Sequence, residues 1–277
     1  MGPFKAKGYP LLLAEFVREF KVAILRVEKI IKNFGGLTAL QQVNLEVQPG
    51  EIRGLIGPNG SGKTTFFNIL SGIYPVDHGD IYFLDHHLNG KKPEEVGRMG
   101  MARTFQEIQL FYDMTVLENV MVGCQRLSRA EVFGALFVPQ WVKKEEQFIR
   151  ERARECLRFV GLGVHEEGLA RNISYGHQRL LEIARGLASE PKLMLLDEPA
   201  AGMNIAETKN LMGLIGKIRD RGVTVLVVEH NMKVVMNICE KVTVLNYGKV
   251  IAEGKPEVIQ RSEQVIEAYL GKVKRSC

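Results

Sequence analysis

Residues 57–64 read Gly-Pro-Asn-Gly-Ser-Gly-Lys-Thr, three glycines leading into a lysine and a hydroxyl. Glycines let a backbone curl until successive N–H groups face inward, and a helix that starts at the exit adds its own free amides to the same hollow. Before the loop, Glu51–Ile56 reads as a strand; after it, Thr64–Leu70 reads as a helix, which is the setting a phosphate-binding loop requires. In that setting Gly57, Pro58, Asn59, Gly60, Ser61 and Gly62 wrap the phosphates of a nucleotide, with Thr65 counted among the binding residues. Lys63 then reaches the β- and γ-phosphates and Thr64 holds Mg²⁺ through its hydroxyl. A glycine-rich turn that binds nothing would leave Lys-Thr-Thr at the exit without a purpose.

The rest of the chain alternates. Leu25–Asn33, Val43–Val47 and Glu51–Ile56 read as short strands separated by turns at Gly35-Gly36 and Pro49-Gly50. Gly79–Leu84 and Met101–Phe105 add two more, the second leading to Gln106. Thr115-Val116-Leu117-Glu118 has the spacing of a capping box, and Lys143–Val160 reads as a longer helix ending at Gly161, with a connector over Gly134–Trp141 between them. A helix over Gln178–Ser189, a strand over Lys192–Leu196, a helix over Ala206–Arg221, a strand over Val223–Val228, a helix over Met232–Cys239 and a strand over Lys241–Leu245 follow. Such alternation predicts an α/β fold with a largely parallel sheet covered on both faces, and the inserted helices predict two subdomains of one domain.

Composition excludes several functions. A chain of 277 residues, 45% hydrophobic and 25% charged, is ordinary globular material, and a net charge of +5 from scattered Lys and Arg makes no case for nucleic acid. Cys124, Cys156, Cys239 and Cys277 have no metal spacing and fit free thiols in a reducing compartment, so the cytosol is expected. The best apolar run, Val223–Val228, falls far short of the ~20 residues that cross a bilayer. Near the N-terminus, Leu12, Leu13, Phe16, Val17 and Phe20 recur at helical spacing, as either an amphipathic docking helix or a poorly ordered leader.

Two further strand ends carry chemistry. Lys192–Leu196 delivers Asp197 and Glu198 to the sheet edge, where ligands bind in open α/β folds. Adjacent strand residues point to opposite sides, so Asp197 is the metal-side residue and Glu198 the general base that polarises an attacking water. In the same way Val223–Val228 delivers Glu229 and His230, and a neutral imidazole there can sense the γ-phosphate; a single histidine taken alone is more often structural. Asn172–Arg179 reads, from its residues, as an ordinary Ser-capped helix start whose amides also face anions.

In their order along the chain, the phosphate loop, Gln106, Ser174-Tyr175-Gly176-His177-Gln178, Leu195-Leu196-Asp197-Glu198-Pro199 and His230 resemble the ATP-binding cassette ATPases. The resemblance covers about residues 25–271, as a P-loop NTPase (RecA-like) core with an N-terminal antiparallel β subdomain and a helical subdomain at about 107–177. Residues 1–24 and the tail 272–277 lie outside it. It implies a motor subunit that dimerises head to tail, each ATP lying between one subunit's P-loop and the other's signature, Ser174, Tyr175, Gly176, His177 and Gln178. It further implies that Gln106 touches Mg²⁺ and the attacking water, that His230 is the switch histidine and that Phe34 stacks on adenine. Arg103-Thr104-Phe105-Gln106, the Phe133–Trp141 connector, Glu198–Asn204 and Ala268-Tyr269-Leu270-Gly271 are similar to the ATPases of branched-chain amino acid importers. The implied partners are a second ATPase subunit, identical or related, integral-membrane permease subunits and, indirectly, a substrate-binding protein, at the cytoplasmic face of the membrane. Another cargo such as lipopolysaccharide, a soluble ATP-switched module and a small-molecule kinase are the competing readings. His177 stands where the general pattern has glutamine, and Asn204 where it has aspartate.

Overall fold

β-Branched and aliphatic residues fill the strands, and their alternation sorts them into two cores. The computed structural model describes residues 22–124 and 140–270. In order these form β1 (Leu25–Phe34), β2 (Leu37–Val47), β3 (Ile52–Ile56), α1 (Lys63–Leu70), β4 (His78–Phe83), β5 (His86–His87), α2 (Pro93–Met99), β6 (Met101–Arg103), α3 (Val116–Gly123), α4 (Gln140–Val160), α5 (Tyr175–Ala188), β7 (Leu193–Asp197), α6 (Ile205–Asp220), β8 (Thr224–Val228), α7 (Met232–Ile238), β9 (Lys241–Asn246), β10 (Lys249–Gly254), α8 (Pro256–Gln260) and α9 (Glu263–Leu270).

One sheet runs β10-β9-β3-β8-β7-β6, parallel from β9 to β6 with β10 antiparallel at the edge. A second, antiparallel sheet runs β2-β1-β4-β5. Along β7, Leu193 and Leu195 enter one core with Phe66, Phe67 and Leu70 of α1 and with β1 and β2, while Met194 and Leu196 enter the other with α3 to α6. Because side chains alternate across a strand, one five-residue segment holds both layers together.

The α/β expectation holds, and the differences from it are local. β2 begins at Leu37, six residues before the strand expected from Val43, because Gly35 at φ 55° turns the chain tightly enough for pairing to start at once. α2 was not expected; Pro93 opens it and the Lys92 N–H donates to Glu95 at 2.9 Å. β10, α8 and α9 were likewise not read from the sequence. Gln140 and Trp141 belong to α4, not to the expected connector, whose remaining residues lie outside the described ones, as do the segment Leu12–Phe20, Cys277 and the tail. Ile24 is buried and its N–H donates to the Val47 carbonyl at 2.9 Å, so the folded body includes a residue assigned above to the extension. Thr115 opens α3 as expected, accepting from the Glu118 N–H at 3.1 Å while its own N–H donates to Glu118 at 2.8 Å.

Candidate nucleotide site

Four neighbouring parallel strands end on one edge, and each carries a piece of the site at or just beyond its last residue: β3 the Gly57 loop, β8 Glu229 and His230, β7 Asp197 and Glu198, β6 Thr104 to Gln106. The register that aligns Asp197 with Val228 sets Glu198 beside Glu229 and His230.

The loop is held closely from outside. A Cβ on Gly57 would lie 2.1 Å from the Leu245 carbonyl of β9, and one on Gly62, at φ 106°, 2.8 Å from the Ala39 carbonyl of β2, so only glycine fits at either position. Lys63 folds back over the loop and its Nζ donates to the carbonyls of Gly57 at 2.7 Å and Pro58 at 2.9 Å. Burial holds its ammonium below the usual lysine range, an effect Glu198 and Asp197 partly offset. Thr64 is exposed on the first turn of α1, with Thr65 half-buried beside it, while Asn59 and Gly60 form the outer rim.

Asp197 is buried, and its carboxylate meets the Arg103 guanidinium at 3.2 Å. Arg103 also donates to Asn68 and Ser71 of the α1 region, both at 2.8 Å, so one side chain ties the loop helix to the carboxylate strand. Burial raises the Asp197 carboxyl above its ordinary range, against the lowering effect of Arg103. Glu198 leaves the strand with φ 45°, a left-handed conformation costly for a non-glycine residue and typical of functional positions. Its Oε2 receives the Gln106 amide at 3.3 Å and lies 3.4 Å from His230 Nδ1. Three residues chosen from distant parts of the sequence therefore meet at one oxygen. Glu229 is fully buried and braces the same turn by accepting from the Ala200 and Asn231 N–H groups at 2.9 and 3.4 Å.

Elsewhere the predicted residues separate. Ser174 caps α5, its hydroxyl accepting from the His177 N–H at 3.3 Å. Gly176 is buried, and a Cβ there would lie 2.7 Å from the Glu207 carboxylate. Tyr175 turns toward its own chain, its hydroxyl accepting from Arg179 at 3.3 Å, and Gln178 donates to the Ala170 and Ile173 carbonyls, both at 3.3 Å. The ring of His177 lies 5.0 Å from that of His165. Asn204 caps α6, accepting from the Glu207 N–H at 3.0 Å, so the residue that departs from aspartate keeps a capping role. Phe34 is 42% exposed at the end of β1, edge-on to Tyr74 at 5.4 Å. Sequence reading missed Arg103 as a partner of Asp197, and missed Glu229 as a brace. The available signal was a charged residue next to each strand end.

The sequence profile of the family described as ABC transporter matches residues 40–201, and that of the branched-chain amino acid ATP-binding cassette transporter matches residues 249–274. The chain is 43% identical over 249 residues, 90% of its own length and 98% of the relative's, to the high-affinity branched-chain amino acid transport ATP-binding protein LivG of Escherichia coli (strain K12). It is 41% identical, over 90% of its length and 98% of the relative's, to the corresponding protein BraF of Pseudomonas aeruginosa. Among solved structures it is similar to MJ1267, an ATP-binding cassette of an ABC transporter, in the ADP conformation, with a TM-score of 0.79 and 34% identity over 91% of this chain and all of that one. A dimeric bacterial ABC transporter cassette, MJ0796, gives a TM-score of 0.72 and 28% identity over 84% of this chain and 98% of that one. On this likeness the chain belongs to the ABC transporter family as one of its ATP-hydrolysing cassettes.

Proposed function

We propose that this cassette energises the import of branched-chain amino acids, working at the cytoplasmic face of the membrane as a peripheral subunit. The names of its relatives and the match at residues 249–274 support that cargo over lipopolysaccharide export. No helix among the described residues is long and apolar enough to cross a membrane, so translocation falls to permease subunits, fed by a substrate-binding protein. The second cassette of the assembly is a related chain in this reading, and the α5 start that Ser174 caps faces its ATP across the interface, while Tyr175 and Gln178 stay bonded within their own chain. Phe34 carries adenine.

The observation that carries the catalytic reading is the convergence of Gln106 and His230 on one oxygen of Glu198. Glu198 accepts the proton of the attacking water, the Gln106 amide orients that water, and His230 reports the γ-phosphate by donating to it. The residues fit a magnesium ion: the Thr64 hydroxyl, the Asp197 carboxylate and the Gln106 amide oxygen are hard donors. Among the described residues no cluster of three or more His, Cys, Asp or Glu could hold a metal, so these donors would hold the ion together with the nucleotide rather than alone. When bound, the ion neutralises charge on the β- and γ-phosphates.

Glu198→Gln tests this. The variant should bind MgATP normally and turn over about a hundredfold more slowly, roughly 2.7 kcal/mol of barrier; steady-state ATPase at the parental rate removes Glu198 from the role. Isolating the chain from its native membrane with its partners tests the cargo, since branched-chain permeases should accompany it.

A further inference from the structure

Arg179 and Glu182, one turn apart on α5, form an ion pair whose side chains are 0% and 1% exposed. Taking two charges out of water costs several kcal/mol, and apolar residues of the same volume commonly serve stability as well or better. Stability alone gives no reason for the pair, whereas its hydrogen bonds do. Arg179 Nη1 donates to the Phe105 carbonyl at 2.6 Å and to Glu182 at 2.9 Å, and Nη2 donates to the Gln106 carbonyl at 2.8 Å. The other Glu182 oxygen accepts the Phe105 N–H at 3.1 Å. Two successive residues of the loop after β6 are thus gripped at an N–H and two carbonyls by one buried pair on the helix that Ser174 opens.

Both ends of this link reach the site. At one end, the Gln106 side chain extends 3.3 Å to Glu198. At the other, Tyr175 on the first turn of α5 contacts Arg179 through its hydroxyl, and its ring lies 2.8 Å from where a Cβ of Gly202 would be, in the turn that follows Glu198. A planar guanidinium with several donors can bridge two carbonyls and a carboxylate at once; a lysine ammonium lacks that fork.

We propose that Arg179 and Glu182 are positioning residues for hydrolysis: they fix the main chain at Phe105 and Gln106 to α5, so that the placement of the signature helix sets how Gln106 meets Glu198 in the same chain. A change at the surface that faces the partner's nucleotide is thereby felt at the chain's own hydrolytic carboxylate. This rests on the roles given above to Gln106 and Glu198.

The experiment uses the full-length chain in the assembly that hydrolyses ATP. The double substitution Arg179→Met with Glu182→Leu removes both charges together and leaves neither stranded. It should bind MgATP within twofold of the parent, lose five- to fiftyfold in kcat with KM little changed, and exchange the Phe105 amide faster. Introduced together with Gln106→Ala, it should cost nothing beyond Gln106→Ala alone, because the clamp acts through that side chain. A folded double variant with kcat within twofold of the parent, or with losses that multiply when Gln106→Ala is added, overturns the proposal. Should the double variant not fold, Arg179→Lys serves: a partial fall in kcat at unchanged affinity supports the clamp, and parental kcat overturns it. Glu198→Gln and Gln106→Ala alone separate the two readings, since full turnover in those variants defeats the catalytic assignment itself, whereas slow turnover there with a normal clamp variant defeats only the clamp.

Discussion

At Glu198 a left-handed backbone, a half-shielded carboxylate and two polar neighbours coincide, and strain of that kind persists only where the surroundings over-determine it. The surroundings here are Glu229, which accepts two N–H groups of adjoining turns, and the Val228 carbonyl, which accepts the Glu198 N–H at 2.9 Å. Burial raises the Glu229 carboxyl above its ordinary range, so the folded protein holds that proton more tightly than the unfolded chain does. The contribution of this group to stability therefore falls as pH rises from about 4.3, the ordinary glutamate value, through the raised folded value. Glu229→Gln removes that slope: in urea titrations its stability relative to the parent should improve between pH 4.5 and pH 7. Lys63 makes the opposite kind of prediction, on binding. Lys63→Ala deletes both the phosphate contact and the brace on the Gly57 and Pro58 carbonyls, so calorimetry should show ATP affinity at least about tenfold weaker, 1.4 kcal/mol or more.

Among the elements, the helix starts are where the sequence acts most directly. Thr115 with Glu118 and Asn204 with Glu207 each satisfy two end amides through a reciprocal pair, a pattern readable three residues apart without any tertiary information. Thr115→Ala should cost ~1 kcal/mol, seen as a melting shift of about 2–4 °C, with ATPase unchanged. α5 starts at Tyr175, three residues before the start expected at Gln178, because the Ser174 cap extends the helix to its own position. The short elements β5, α2, β10, α8 and α9 escaped reading for a different reason. They are two to eight residues long, too few for periodicity to register, and they form where the sheets offer an edge or a face to cover.

The whole molecule brings four strand ends to one edge, and in the function proposed above that edge forms half of an interface in a head-to-tail dimer. A dimeric cassette of the same fold supports this arrangement. Slowing hydrolysis should trap it: Glu198→Gln with MgATP should run as a dimer in light scattering when co-expressed with its related cassette and as a monomer with ADP, while a dimer of this chain alone would point to self-pairing. The local chemistry was fixed by the residues themselves, since a Gly-Pro-Asn-Gly-Ser-Gly-Lys-Thr string, a capping box and an apolar run ending in Asp-Glu each act over a few consecutive positions. What only the tertiary structure decided is which distant residues meet. Gln106, Glu198 and His230 share one oxygen, Arg103 pairs with Asp197, and Arg179 grips Phe105 and Gln106, because sheet order β3-β8-β7-β6 and the packing of α5 set those distances, and neither is written in any local stretch of chain.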